Sequence, residues 1–135
     1  MAEFVHFSDA ANLAFHCMAH LGAHPGEYIS THNIAETYSA SAHHLAKVVQ
    51  RLHKAGLVNS LRGPHGGITL AQPPIEVNLL QIYEAIEGPV KISTCLFTQP
   101  VCSRRQCIFA GVLAEANTLI YNYLAQTTLH DLIAP

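Results

Sequence analysis

The chain has 135 residues, half of them apolar, with 12% charged side chains and a formal net charge of −2. Those values argue against a disordered chain and predict a single domain large enough to bury a core. No run approaches the roughly 18 uninterrupted apolar residues of a membrane-spanning helix, so no membrane association is expected. The opening MAEFVHFSDA is acidic and broken by polar residues, unlike a secretory signal. The expected location is the cytoplasm, where cysteines stay reduced. A slightly acidic total would argue against nucleic acid, but the distribution reverses that inference. Between Thr37 and Ile75 there is no Asp or Glu, while Lys47, Arg51, Lys54 and Arg62 all lie there. Phosphates respond to this local charge, because salt screens anything beyond about 8 Å.

Ser8 is the first predicted N-cap, and Asp9 suits the positive end of the helix that follows. Ala10, Leu13, Ala14, Cys17, Met18 and Leu21 trace a buried stripe that stops near Gly22, and AHPGEY at 23–28 is a loop. Cys17 lies on the stripe and reads as a small core residue rather than a ligand. His6, His16, His20 and His24 make no defensible metal set. His16 and His20 are one turn apart, yet solvated surface histidines are the simpler reading.

Ile29-Ser30-Thr31 leads into a short predicted helix, about His32 to Tyr38, with Ile34 and Ala35 inward. Ser39-Ala40-Ser41 is a tight turn, and Ser41 can cap the next helix. There Leu45, Val48, Val49 and Leu52 give one apolar face, while His43, His44, Lys47, Gln50, Arg51 and Lys54 can all donate hydrogen bonds from the other. Two short helices joined by about three residues have the outline of a helix-turn-helix, with the second as recognition helix. Gly56 ends that helix where a left-handed residue is wanted. Leu57-Val58 starts an extended run, GlyProHisGlyGly at 63–67 turns it, and Ile68-Thr69-Leu70 brings it back. A basic helix followed at once by a Gly-rich hairpin predicts a winged helix-turn-helix that binds a double-stranded DNA operator.

On this reading Ser41, His43, His44 and Lys47, in the first turns, reach base edges or the groove, and Arg51 and Lys54 meet phosphate. Arg62 and His65, beside and at the wing tip, reach a minor groove or a phosphate. The bland alternative is a solvated amphipathic helix. The acid-free window and the hairpin weigh against it. A nucleotide-cradling loop is excluded because no strand, Gly-rich loop and helix follow in that order.

Pro73-Pro74 breaks the chain, after which Val77, Leu79, Leu80, Ile82, Tyr83 and Ile86 predict an apolar helix ended by Gly88-Pro89. Next, STCLFTQPVCSRRQC carries Cys95, Cys102 and Cys107 with six and four residues between them. Thiolates are soft ligands for zinc or iron–sulfur clusters, and Arg104 and Arg105 favour the thiolate form. There is no CxxC knuckle of the kind structural zinc sites prefer. A metal or cluster, redox-active thiols and inert cysteines all stay open here. From Ile108 to about Gln126 the chain reads as one long helix. Phe109, Val112, Ala116, Leu119 and Tyr123 alternate at three and four, widened by Leu113, Ile120 and Leu124. That coiled-coil rhythm predicts a homodimer interface, with a helix folded back on its own domain as the alternative.

The run IAETYSASAHHLAKVVQRLHKAGLVNSLRGPHGGITLAQPP, then IYEAIEG, resembles the Rrf-two family of winged-helix regulators. Its better-known members control iron–sulfur cluster assembly, nitric oxide response, and iron and cysteine metabolism. The resemblance spans essentially the whole chain, from FSDAANLA to the three late cysteines. GGI, HHLAKVVQRL and the late TLHDL make it most similar to the nitric-oxide-sensing branch. The resemblance implies a mainly α fold in a single domain, 1–135: a winged helix-turn-helix over about 1–88, a cysteine loop over about 91–107, and a dimerisation helix over about 108–126. It further implies a homodimer with a cluster between the subunits, [4Fe-4S] favoured over [2Fe-2S], on Cys95, Cys102 and Cys107. The fourth ligand differs between branches. The His used by the cluster-assembly branch is replaced by Ala110, whereas FSDA puts Asp9 where the nitric-oxide branch uses an Asp of the partner chain. The six-and-four spacing departs from the five-and-five common in the family.

The function expected is a dimeric DNA-binding repressor, not an enzyme, whose affinity an iron–sulfur cluster adjusts to nitric oxide, redox state or iron. The alternative is a cluster-free regulator of the same fold using its cysteines as a disulfide or zinc switch. A small redox protein is a remote third, since it leaves the winged helix-turn-helix unexplained.

Overall fold

A computed structural model describes residues 4–99 and 101–133. Its order is α1 (Asp9–Gly22), α2 (Thr31–Thr37), α3 (Ala42–Lys54), β1 (Val58–Leu61), β2 (Gly67–Leu70), a 3-10 turn (Pro74–Glu76), α4 (Leu79–Glu87), α5 (Val112–Gln126) and α6 (Leu129–Ile133). No described helix is long and apolar enough to cross a membrane. The architecture is the expected one: mainly helical, with one two-stranded antiparallel sheet as the wing.

Each of the first three helices starts at a serine. Ser8 accepts the amide of Ala11 at 3.0 Å, Ser30 that of Asn33 at 3.1 Å, and Ser41 that of His44 at 3.0 Å. Each cap satisfies one of the orphan donors at a helix N-terminus, and each fixes where a helix begins. α1 runs through the middle of the domain. Ala11, Ala14, Cys17, Met18 and Leu21 are completely buried on it. They share a core with Leu45 and Leu52 of α3, Ile82 of α4, Ile68 of β2 and Leu129 of α6. Cys17 is therefore the core residue its spacing predicts, and burial pushes its thiol up to about 12.

The predicted fourth helix begins later than its apolar pattern, because Asn78 and Gln81 form a reciprocal capping box that sets its start at Leu79. Val77 is left outside the helix but fully buried, and its carbonyl accepts the amide of Leu129 at 2.9 Å. The long C-terminal helix also begins a turn later than Ile108. Ala110 and Gly111 have φ of 49° and 89°, left-handed values that a right-handed helix cannot include, so α5 starts at Val112. One element has no counterpart in the sequence reading. α6 is capped by Thr128 and Asp131, each bonding the other's amide, and the Thr128 amide holds the Asp131 carboxyl below the usual range. Its signal was the T-x-x-D of TLHDL.

Candidate nucleic-acid interface and cysteine loop

The helix-turn-helix is built at the α2–α3 junction. Ser39 takes a left-handed φ of 53°, and the amide of Ala40 returns to the carbonyl of Ala35 at 2.9 Å. This tight reversal delivers Ser41 to its capping position. α3 then buries Leu45, Val48, Val49 and Leu52. Ser41, His43, Lys47, Arg51 and Lys54 are exposed. His44 is only half-exposed, lying beside a small polar depression shared with Asp9, Asn12, His16 and Tyr38. It is set closer to α1 than its place on the polar face suggested.

The wing follows directly. Gly56, at φ 77°, ends α3, and its amide meets the carbonyl of His53 at 3.0 Å. β1 and β2 pair with Val58 opposite Leu70 and Leu61 opposite Gly67, which leaves Arg62, Gly63, Pro64, His65 and Gly66 as the tip. Two glycines there are required by close approach. A Cβ on Gly66 would sit 2.0 Å from the carbonyl oxygen of Leu61, and one on Gly67 would sit 2.2 Å from that of Ile29. The second contact arises because Ile29 and Ile68 exchange backbone hydrogen bonds at 2.9 Å in both directions. The wing is thereby pinned to the residue preceding the cap of α2, and Arg62 and His65 project from a fixed base. Both are exposed.

Arg51 has a structural bond as well as an exposed surface. Its Nη1 donates to the carbonyl oxygen of Ile86 at 3.1 Å, joining the last turn of α3 to the last turn of α4. A purely phosphate-directed role missed this, since nothing local in the sequence pairs positions 51 and 86. His16 is exposed and contacts the carbonyl of Asn12 through Nδ1 at 2.8 Å. His20, in contrast to a solvated reading, is half-buried, with Nδ1 3.5 Å from the hydroxyl of Tyr38.

The cysteine segment is different in kind. Every described residue from Lys91 to Val112 is exposed, and the stretch contains only bends and turns before α5. Cys95, Cys102 and Cys107 are free and exposed. Asp9 lies in the first turn of α1, also exposed. Among the described residues no three His, Cys, Asp or Glu side chains are gathered closely enough to hold a metal ion, so a single chain does not bring this set together. The donor chemistry nonetheless suits a soft metal centre: three thiols lie on one loop with no ladder to break, and the Sγ of Cys95 accepts the amide of Phe97 at 3.4 Å. Hydrogen bonds to ligand sulfurs are among the features that adjust cluster potentials.

Residues 7–135 match the family described as Rrf2, iron-dependent transcriptional regulator. The chain belongs to the Rrf2 family. It is 35% identical over 116 residues to the HTH-type transcriptional regulator NsrR of Bacillus subtilis, covering 81% of this chain and 76% of the relative. NsrR of Halalkalibacterium halodurans is 33% identical over 119 residues, covering 86% and 82%. The structure of CymR, the global cysteine regulator of B. subtilis, superposes with a TM-score of 0.78 at 29% identity, covering 97% of this chain and 98% of that one. This Rrf2 protein is a DNA-binding winged-helix transcription regulator and not an enzyme.

Proposed function

We propose that this chain is a homodimeric repressor, acting in the cytoplasm on a double-stranded DNA operator. Its affinity is set by an iron–sulfur cluster, [4Fe-4S] in preference to [2Fe-2S], that responds to nitric oxide, redox state or iron. The observation that carries this reading is the placement of three free, exposed thiols on one irregular loop that follows α4, whose last turn is bonded to the last turn of the recognition helix. Cys95, Cys102 and Cys107 would hold the cluster, with Asp9 of the partner subunit as fourth ligand. Bound there, it supplies a centre open to nitric oxide and oxygen and dependent on iron.

The chain's own residues do the rest. Ser41, His43, His44 and Lys47 face the major groove, Lys54 and the unengaged donors of Arg51 meet phosphate, and Arg62 and His65 extend the contact from the wing. α5 supplies the dimer seam. Leu124 is its one buried residue, while Val112, Leu119 and Tyr123 stay largely exposed, an apolar strip that a second copy of the chain would cover. A change in the loop that repositions one recognition helix against the other needs only about 1.4–2.8 kcal/mol of coupling to alter DNA affinity 10–100-fold.

The test is anaerobic purification followed by visible absorption, before and after one equivalent of nitric oxide. A brown protein whose spectrum collapses is the expected result, and Cys102→Ala should abolish both colour and response without unfolding the dimer. A Cys102→Ala variant that still responds overturns this mechanism. A second reading is a zinc or disulfide switch on the same thiols, which are free and exposed. A protein that stays colourless when made anaerobically with iron supplied would select it.

A further inference from the structure

Three separate segments meet at the last turn of α4. Arg51, from the last turn of α3, donates to the carbonyl oxygen of Ile86 at 3.1 Å. Glu84 accepts the amide of Val90 at Oε2, 3.0 Å away, which roots the cysteine loop on the helix. The hydroxyl of Ser8, the cap of α1 and neighbour of Asp9, donates to Oε1 of Glu87. α4 ends at this point, with the amide of Gly88 returning to the carbonyl of Glu84 at 2.9 Å and Gly88 at φ 83°. The carbonyl of Ile86 is one of those a helix cannot satisfy internally, and the negative end of the helix favours a guanidinium there. Among the described residues no other side chain of α3 hydrogen-bonds α4.

The geometry points to Arg51 as a positioning residue that carries the state of the cysteine loop to the recognition helix. The inference rests on the proposed role of that loop as the sensing element. A loop movement that displaces Val90 acts on Glu84, two residues from the carbonyl that Arg51 holds. Beside the apolar packing that α3 and α4 share, the hydrogen-bonded route to α3 runs through this one side chain, whose guanidinium is planar and whose bond is directional. A lysine at 51 would keep the charge available to phosphate but replace the rigid fork with a flexible point donor. That difference separates a positioning role from a phosphate contact.

The test uses the full chain and iodoacetamide, which alkylates the three exposed thiols and spares buried Cys17. Amide hydrogen exchange over residues 46–54 is measured before and after alkylation in the wild type, Arg51→Lys and Glu84→Ala. Alkylation is expected to change wild-type exchange in α3 by about 5-fold or more, and to change it less than about 2-fold in both variants. The before-to-after ratio is the readout, since a merely structural loss would shift both values together. An Arg51→Lys protein that responds as fully as the wild type overturns the positioning role while leaving the loop as sensor. A wild-type α3 indifferent to alkylation overturns both. Glu84→Ala, which severs the loop root without touching α3, keeps the inference testable if Arg51→Lys does not fold.

Discussion

From Phe7 to Gly88 the chain buries a continuous core, and each of its first three helices starts at a side chain that caps it. From Lys91 to Val112 every described residue is exposed, including Leu96, Phe97, Val101 and Ile108, which a self-sufficient domain would bury. Both stretches are apolar enough to pack, so hydrophobic content does not distinguish them. What differs is periodicity. Leu45, Val48, Val49 and Leu52 fall on one face of one helix, whereas the apolar residues of the cysteine segment follow no repeat and are separated by Pro100 and a pair of arginines. The first region is held by a core that its own helices build and that Leu124 and Leu129 complete. The second leaves its three thiols and its apolar side chains exposed in the single chain, which suits its proposed sensing role.

That contrast can be broken most forcefully from the core side. Leu45→Ala should cost about 2–5 kcal/mol, because a fully buried side chain leaves a cavity that the capped helices cannot collapse around. Urea unfolding measures it, and a loss below about 1 kcal/mol would mean that the core is looser than its burial indicates. Next, Gly67→Ala would drive a Cβ into the carbonyl oxygen of Ile29, so a loss of about 2 kcal/mol or more is expected, with faster exchange at the Ile29 and Ile68 amides.

A pH experiment sharpens the same contrast. Cys17 keeps its proton in the fold until about 12 instead of 9.0, so above pH 9 the unfolded state binds fewer protons than the native one. Stability should then fall as pH rises from 9 toward 12, with a slope that approaches about 1.4 kcal/mol per pH unit above pH 10, and a Cys17→Ala variant should show a flatter slope over that range. Tyr38, also raised by burial and then by the Cys17 thiolate, adds to the decline at still higher pH. The smallest effect belongs to the loop. Cys102→Ala should leave the unfolding free energy of the metal-free protein, measured in urea, within about 0.5 kcal/mol of the wild type, because an exposed thiol has no packing to lose. A larger loss would show that the loop is already part of the folded unit.

The local features were legible because their causes are local. Ser8 and Ser41 cap helices by bonding amides three residues on, and Gly56 stops α3 through its own φ. The Gly-rich tip turns the wing within five residues. The start of α5 was misplaced because apolar spacing continues through Phe109, while the left-handed turn at Ala110 and Gly111 leaves no mark on hydrophobic periodicity. The capping box at Asn78 and Gln81 was present in the sequence but overshadowed by the apolar run around it.

The sequence by itself determined the winged helix-turn-helix, its acid-free basic face and the three thiols, since each follows from residue type and short-range spacing. Only the tertiary structure decided how those parts are joined. Arg51 reaches Ile86 across 35 positions and Ser8 reaches Glu87 across 79. Ile29 closes the base of the wing, and Val77 sits beside α6. Such bonds depend on where packed helices end relative to one another, and that is fixed by the shared core rather than by any one segment.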